Sequence, residues 1–169
     1  IDAYVPETEG VLTTTTINNL PAVTPFEILP GQDAGFSIDI RNLGTEAVNN
    51  YKVIVPIPYN ASYVPGSASG TLYYTVPNTT ITGTFDPSLG STGSIVWDFG
   101  TLPLPVNPSV LLAKLTFKLK ATTDCAILNN ASCASTIAIT GNSIGKGNTT
   151  NVDLRNSNLI QGFTQNGSC

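Results

Sequence analysis

Apolar and polar side chains alternate along most of the chain, and this two-residue period constrains the fold more than any other feature. The clearest case is the stretch 113–120, where four apolar residues alternate with three lysines and a threonine. Such alternation is typical of a β-strand with one face in a core and the other in water. Further rows begin at Phe36, Tyr51, Leu72, Ile81, Ile95 and Ile137, with a threonine-rich first row at 11–17 and a weaker last row at 159–163.

Turn-forming residues separate these rows at intervals of about 8–12 residues. The chain has 12 prolines and 15 glycines in 169 residues, which exclude long helices. Roughly 7–10 short strands spaced in this way predict an all-β fold, namely an immunoglobulin-like antiparallel β-sandwich. We expect residues 1–19 to form an N-terminal arm or first strand and residues 20–169 to form the sandwich module. The polar stretch 141–157 is predicted to be a long hairpin loop.

The predicted core consists of the large apolar side chains that share one face of these rows. Trp97 is the largest of them and would fill the space between two sheets. Pro56 and Pro58 interrupt one row, and because proline cannot donate to a strand ladder, they predict a sheet edge or a bend there. The full set of predicted core residues is Phe36, Ile38, Ile40, Val53, Val55, Ile95, Trp97, Phe99, Leu115, Phe117 and Leu119.

The charge balance and the missing residue types exclude several functions. Eleven acidic and seven basic residues give a net charge of −4, which does not suit a nucleic-acid partner. No apolar run approaches the roughly 18 residues of a membrane span. The chain has no histidine, and no two carboxylates occur in a recognisable catalytic context. The sequence therefore predicts that the protein is not an enzyme and has no cofactor.

Three cysteines bear on the cellular compartment. Cys125 and Cys133 bracket a short loop, and a disulfide between them is feasible if the flanking strands are neighbours. The alternative is two buried free thiols. The low charge and the many threonines and asparagines indicate an oxidising, extracellular setting, which favours the disulfide. Cys169 is left over, and the spacing of the three cysteines is not that of a zinc site.

Two sets of residues are candidate ligand-binding groups. Tyr73 and Tyr74 are consecutive, so in a strand one ring must face outward, as do the aromatic rings on which many β-sandwich modules hold sugars. The alternative is that both are tyrosines chosen for their strand propensity. No metal site is predicted, and the alternative is a calcium site on Asp124, Asp153 and asparagine side chains near the loops, although no EF-hand-type motif is present.

Several segments resemble one family. One pattern found in repeat modules of bacterial surface proteins is "N-x-G … P … Y-x-x-G-S". This chain resembles it in three successive segments, namely Asn42–Asn50, the following Pro-Ile-Pro and Tyr63–Ser67. Ile95–Leu102 is similar to their "W-x-x-G-x-L" strand, and Leu115–Lys120 matches the long strand that follows it. Asn42 and Gly44 also suit a tight turn, because asparagine tolerates and glycine favours a positive φ.

The cysteine-bearing tail resembles modules of large Bacteroidota cell-surface proteins, the SprB-like gliding-motility adhesins among them. The resemblance covers about residues 35–169. It implies a non-enzymatic structural or adhesive repeat module of a long adhesin or filament that serves gliding or attachment. The chain starts at Ile1 and has no methionine, so we expect a piece of a longer surface polypeptide. Its expected partners are neighbouring modules and surface polysaccharide. The alternative is a carbohydrate-binding module attached to a secreted enzyme.

Overall fold

The structure is a computed structural model that describes residues 6–24, 26–124, 136–154 and 162–166. Every regular element in these residues is a β-strand, so none of them forms a helix that could cross a bilayer. The strands are β1 (Thr8–Ile17), β2 (Leu20–Pro21), β3 (Glu27–Ile28), β4 (Asp33–Asn42), β5 (Val48–Pro56), β6 (Ala61–Tyr63), β7 (Ser69–Leu72), β8 (Thr79–Thr82), β9 (Thr84–Asp86), β10 (Ser94–Leu102), β11 (Ala113–Ala121), β12 (Thr136–Ile139), β13 (Asn142–Gly147) and β14 (Gly162–Asn166).

The strands form three sheets, and the predicted antiparallel β-sandwich is confirmed. Sheet I has the order β2-β1-β4-β11-β7-β8, with β6 also paired to β11. Sheet II has the order β13-β5-β10-β9, and the small sheet III has the order β12-β14-β3. All pairings are antiparallel except that of β14 with β3.

The inward faces of sheets I and II meet in an aromatic core. Phe36 of β4 and Phe117 of β11 are directly opposite in register, and their rings stack with centroids 5.3 Å apart. Trp97 of β10 contacts Phe117 edge-on across the sandwich, at 5.8 Å. The predicted core residues are buried except Phe99, which is half-buried and packs edge-on against the ring of Tyr51.

Two predicted rows are shorter in the structure. The row that begins at Leu72 ends there, and Val76 is 98% exposed. The row that begins at Ile81 is broken at Gly83, where the chain passes from β8 in sheet I to β9 in sheet II. A Cβ at Gly83 would lie 2.8 Å from two ring atoms of Trp97. A glycine is therefore required where the crossing chain contacts the indole.

Pro56 and Pro58 were predicted to mark a sheet edge or a bend, and at Pro56 only one side of β5 is paired: β10 pairs with Pro56, whereas β13 pairs with β5 only as far as Ile54. Before that point, from Val48 to Ile54, β5 lies inside sheet II, between β13 and β10. The strand ends at Pro56 because the proline nitrogen cannot continue the ladder. Proline therefore occurs where the strand is paired on one side only and is about to end.

The predicted loop over 141–157 is wrong for residues 142–147, which form β13 and pair with β5. Gly145 lies so close to β5 that a Cβ would approach the Val48 side chain to 2.5 Å and the Asn49 carbonyl oxygen to 3.0 Å. The glycines of this stretch thus serve a close backbone approach, which composition alone does not distinguish from a flexible loop.

β1 is joined to sheet I along most of its length, through nine residue pairs with β4 and a bulge between Thr14 and Thr16. Asn18 and Asn19 connect it to β2 with φ of 53° and 63°. A two-residue hairpin in which both φ angles are positive matches the right-handed twist of the strands, and asparagine tolerates this conformation better than most residues.

Candidate functional site

The two candidate sugar-binding tyrosines lie beyond the end of β7 rather than within a strand. The Tyr73 amide donates to the Leu112 carbonyl oxygen at 2.8 Å, and its side chain is 38% exposed. Tyr74 is half-buried and packs against the core, and burial raises the pKa of its hydroxyl. Only one ring of the pair is therefore open to a ligand. A sugar-binding role for Tyr73 and Tyr74 stays a prediction.

The cysteine prediction cannot be located on the fold, because Cys125, Cys133 and Cys169 lie outside the described residues. Of the candidate calcium ligands, Asp153 forms an ion pair with Lys146 at 3.2 Å. In the part of the chain that the structure describes, no three histidine, cysteine or acidic side chains are close enough together to hold a metal ion.

The Asn42 side chain joins two loops at one end of the sandwich through hydrogen bonds. This side chain is fully buried, and its Oδ1 accepts a hydrogen bond from the Gly44 amide at 2.9 Å. Its Nδ2 donates to the carbonyl oxygens of Glu46, at 3.0 Å, and Pro103, at 3.2 Å. Neither Asn42 nor Gly44 has a positive φ, so the expected backbone turn is replaced by a side-chain turn.

Glu46 is a buried carboxylate that binds the loop after β13. Its Oε1 accepts from the amides of Thr149, at 2.6 Å, and Thr150, at 2.9 Å. Its Oε2 accepts from the Thr150 hydroxyl at 2.7 Å. These hydrogen bonds hold the pKa of Glu46 below its ordinary value, and the bond from the Thr150 hydroxyl has the largest effect. Burial acts in the opposite direction and raises the pKa, but by less. The carboxylate thereby joins two loops about 100 residues apart.

Three hydroxyl groups meet where β1, β5 and β13 come together. The Thr8 and Ser143 oxygens are 3.2 Å apart, and the fully buried Tyr51 hydroxyl faces them without a well-aligned hydrogen bond to any described residue. Burial raises the pKa of Tyr51 to about 12, and the two neighbouring hydroxyls oppose the increase.

A groove of about 460 Å³ runs beside β13. The two charged side chains that line the groove, Lys146 and Asp153, form an ion pair with each other. The apolar part of the lining includes Ile144, which is about half exposed. The sequence does not indicate this groove, because its composition predicts a loop where β13 lies. The lining residues are Asn50, Ile144, Gly145, Lys146, Asp153 and Leu154.

The outer face of sheet I carries a line of hydroxyl side chains across five strands, here called the hydroxyl row. Its members are directly opposite one another in the registers of β1, β4, β11, β7 and β8. Neighbouring strands lie about 4.7–4.9 Å apart, so the row spans nearly 20 Å. The hydroxyl row consists of Thr13, Ser37, Thr116, Ser69 and Thr82, of which Ser37 is buried and the others are at least partly exposed.

A hollow of about 150 Å³ lies beside this row, above Gly35. Gly35 faces outward between two buried residues of β4, and a Cβ there would collide with the Thr16 hydroxyl oxygen. The bulge in β1 brings both Thr15 and Thr16 against Gly35. Lys118 is opposite Gly35 in the register with β11. The Gly35 hollow is lined by Thr15, Thr16, Gly35, Phe36, Ser67, Thr116, Phe117 and Lys118.

A scan against protein-family models returns no match, and a search of curated proteins finds none either. Solved structures do share the fold. The full-length major pilin SpaD from Corynebacterium diphtheriae matches with a TM-score of 0.59 and 12% identity, over 92% of this chain and 35% of the pilin chain. A variant of BcpA, the major pilin subunit of Bacillus cereus, matches with a TM-score of 0.52 and 9% identity, over 95% of this chain and 40% of the other.

The likeness is one of fold. It agrees with the predicted immunoglobulin-like class of sandwich, and this chain spans 35% of one pilin chain and 40% of the other. Such folds host many unrelated functions, so any function has to be argued from surfaces and side chains.

Proposed function

We propose that this chain is a non-enzymatic structural module of a bacterial cell-surface adhesin or filament. The observation that carries the proposal is the fold shared with part of two major pilin subunits. The finer proposal, from the sequence resemblance, is a repeat module of a long Bacteroidota adhesin that serves gliding or attachment, with further modules of the same polypeptide as its neighbours. Its setting would be the extracellular face of the cell.

The internal contacts suit a module that transmits force. β1 pairs with β4 at nine positions and β4 pairs with β11 at eight, so three long strands are joined edge to edge. Pulling such strands apart lengthwise requires many backbone hydrogen bonds to break together. Loop fastening by Asn42 and Glu46 adds side-chain contacts at one end. A stable module of this size needs only local contacts with its neighbours, so a filament can grow by repetition.

Surface labelling of intact cells tests the proposal. Antibodies raised against the folded 169-residue chain are applied to cells before and after permeabilisation, with a cytoplasmic protein as the control. We expect equal labelling in both states, and a full-length gene that encodes several such modules. Labelling that needs permeabilisation would contradict the proposal. A single module beside a hydrolase domain would favour the alternative, a carbohydrate-binding module attached to a secreted enzyme.

A further inference from the structure

We propose that the outer face of sheet I binds an acidic polysaccharide, with one sugar carboxylate seated beside Lys118 in the Gly35 hollow. The inference deepens the adhesive part of the proposed function and rests on it for the setting, because a surface module meets polysaccharides. It places the site away from Tyr73 and Tyr74. Three observations carry it: the charge at the hollow, the hydroxyl groups around it, and the character of the face beside it.

The charge at the hollow comes from Lys118. Its Nζ donates to the neutral Asn19 Oδ1 at 3.1 Å, and no carboxylate of the described residues forms an ion pair with it. An ammonium group has three donors, so two remain for a ligand. Lys114 lies two positions before Thr116 on the same face of β11. Unlike Lys118, it already forms an ion pair, between its Nζ and Asp39 Oδ1 at 3.0 Å. The hollow thus offers a cation whose partner would be an anion.

The hydroxyl groups around the hollow are also available. Those of Thr15, Thr16 and Thr116 form no hydrogen bond with the described residues, whereas Ser67 is bonded to the Lys118 backbone. Each hydroxyl can donate to a carboxylate or accept from a sugar hydroxyl. Gly35 makes this arrangement possible, because any Cβ there would collide with the Thr16 oxygen.

The face beside the hollow favours a sugar chain over a protein. Protein interfaces usually have an apolar core rich in aromatic residues. The hydroxyl row instead extends uncharged hydroxyls from Thr116, at the hollow, to Ser69 and Thr82 on the next two strands. Hydroxyls of this kind pair with sugar hydroxyls, and a neutral sugar would leave the Lys118 charge without a partner. An acidic polysaccharide satisfies both features.

A titration followed by amide NMR of the full chain tests the site. The probe is tetragalacturonate, and its fully methyl-esterified form is the matched ligand control. We expect shifts centred on Thr16, Gly35 and Lys118, and binding of the ester at least about 5-fold weaker, because a charge-assisted hydrogen bond is lost. Raising the salt from 50 to 300 mM should weaken binding of the acid more than that of the ester.

Matched variants locate the carboxylate. Lys118→Gln should weaken tetragalacturonate binding roughly 5-fold, and Lys120→Gln, on the same face of β11 but outside the hollow, should change it less than about 2-fold. Thr116→Val keeps the side-chain shape and should weaken binding by a smaller factor. The amide spectra report whether each variant is folded.

Three outcomes would overturn the site: no shifts at the hollow with about 10 mM probe, equal losses in both lysine variants, or tighter binding of a tetra-aspartate peptide, which would indicate a protein partner. None of these results affects the labelling of cells, so the site and the proposed function can fail separately.

Discussion

The indole nitrogen of Trp97 donates a hydrogen bond to the main-chain oxygen of Ser69 at 3.0 Å, which fastens the largest side chain of sheet II to the backbone of sheet I. Trp97 is fully buried, and its ring also packs edge-on against Phe117. One side chain therefore supplies both apolar contact and a polar link between the two layers. A buried indole N–H needs such a partner, because leaving it unpaired is costly.

We expect Trp97→Phe to destabilise the fold by about 2–4 kcal/mol. The smaller ring leaves a cavity, and the Ser69 oxygen loses its donor. Urea unfolding followed by circular dichroism measures the change. Phe99→Leu is the control, since Phe99 is only half-buried and should cost less. Equal losses of stability in the two variants would show that the hydrogen bond and packing of Trp97 between the sheets do not add to the stability of the fold.

Gly83 and Trp97 should be energetically coupled. Gly83→Ala places a methyl group 2.8 Å from ring atoms Cε2 and Nε1 of Trp97 and 2.7 Å from the Cβ of Ala68, and we expect a loss of about 1–3 kcal/mol from overpacking. In the Trp97→Phe background the contact with Ala68 remains but the indole atoms are gone, so the same alanine should cost less. Unfolding of the wild type, both single variants and the double variant gives the coupling energy. Additive losses would contradict the close contact.

The alternation of side chains was sufficient to predict the sandwich and most of its core, because burial of one strand face is a local property of sequence. The long row 113–120 and the core position of Trp97 follow directly from it. β13 was missed because Gly145 and Gly147 have no side chains to alternate. Their role depends on how closely β5 approaches, and the sequence does not show that distance.

The site residues were harder to predict because they depend on contacts between distant segments. Glu46 looks like an ordinary loop acid until Thr149 and Thr150 are found next to it. The Gly35 hollow likewise needs the register of three strands, and Lys118 was predicted only as part of a solvated face. The position of a bulge and the register between strands depend on tertiary contacts, so they cannot be predicted from the alternation of side chains along one strand.

The Tyr51 hydroxyl should ionise only at high pH, and its ionisation should lower the free energy of unfolding there. Its folded-state pKa, about 12, lies above the ordinary value of 10. The neutral phenol is therefore favoured in the fold, and its contribution is complete below pH 10 and lost as the pH rises through about 12. Tyr51→Phe should reduce that loss. Urea unfolding at pH 9 and pH 11.5 measures it, with Tyr59→Phe, an exposed tyrosine, as the control. Identical pH profiles for the two variants would contradict this prediction.

We expect Cys125 and Cys133 to be joined by a disulfide. A loop of this length would stabilise the fold by about 2–3 kcal/mol through loss of chain entropy in the unfolded state. Peptide mapping without reduction, with reduced and alkylated protein as the control, identifies the pairing. A peptide that links Cys169 to either of the other two cysteines would show that the assignment is wrong.

Glu46 should give the fold a dependence on acid pH. Hydrogen bonds from Thr150 and Thr149 hold its folded-state pKa below the ordinary value of 4.5. The ionised carboxylate therefore stabilises the fold above about pH 4.5, and this contribution is lost as the pH falls through the lowered value. Glu46→Gln, which keeps the shape but not the charge, should be less stable than the wild type at pH 7, and the difference should shrink toward pH 3.

Urea midpoints at pH 7, 5 and 3 measure this effect, and Glu27→Gln is the control because it removes the same charge from an exposed side chain. We expect the control to follow the wild type at all three values. Gly147→Ala provides an independent check, since its methyl group would lie 2.5 Å from Glu46 Oε2 and displace the carboxylate without neutralising it. That variant should also lose stability at pH 7. If Glu46→Gln and the control lose stability equally, the carboxylate does not hold the loop after β13.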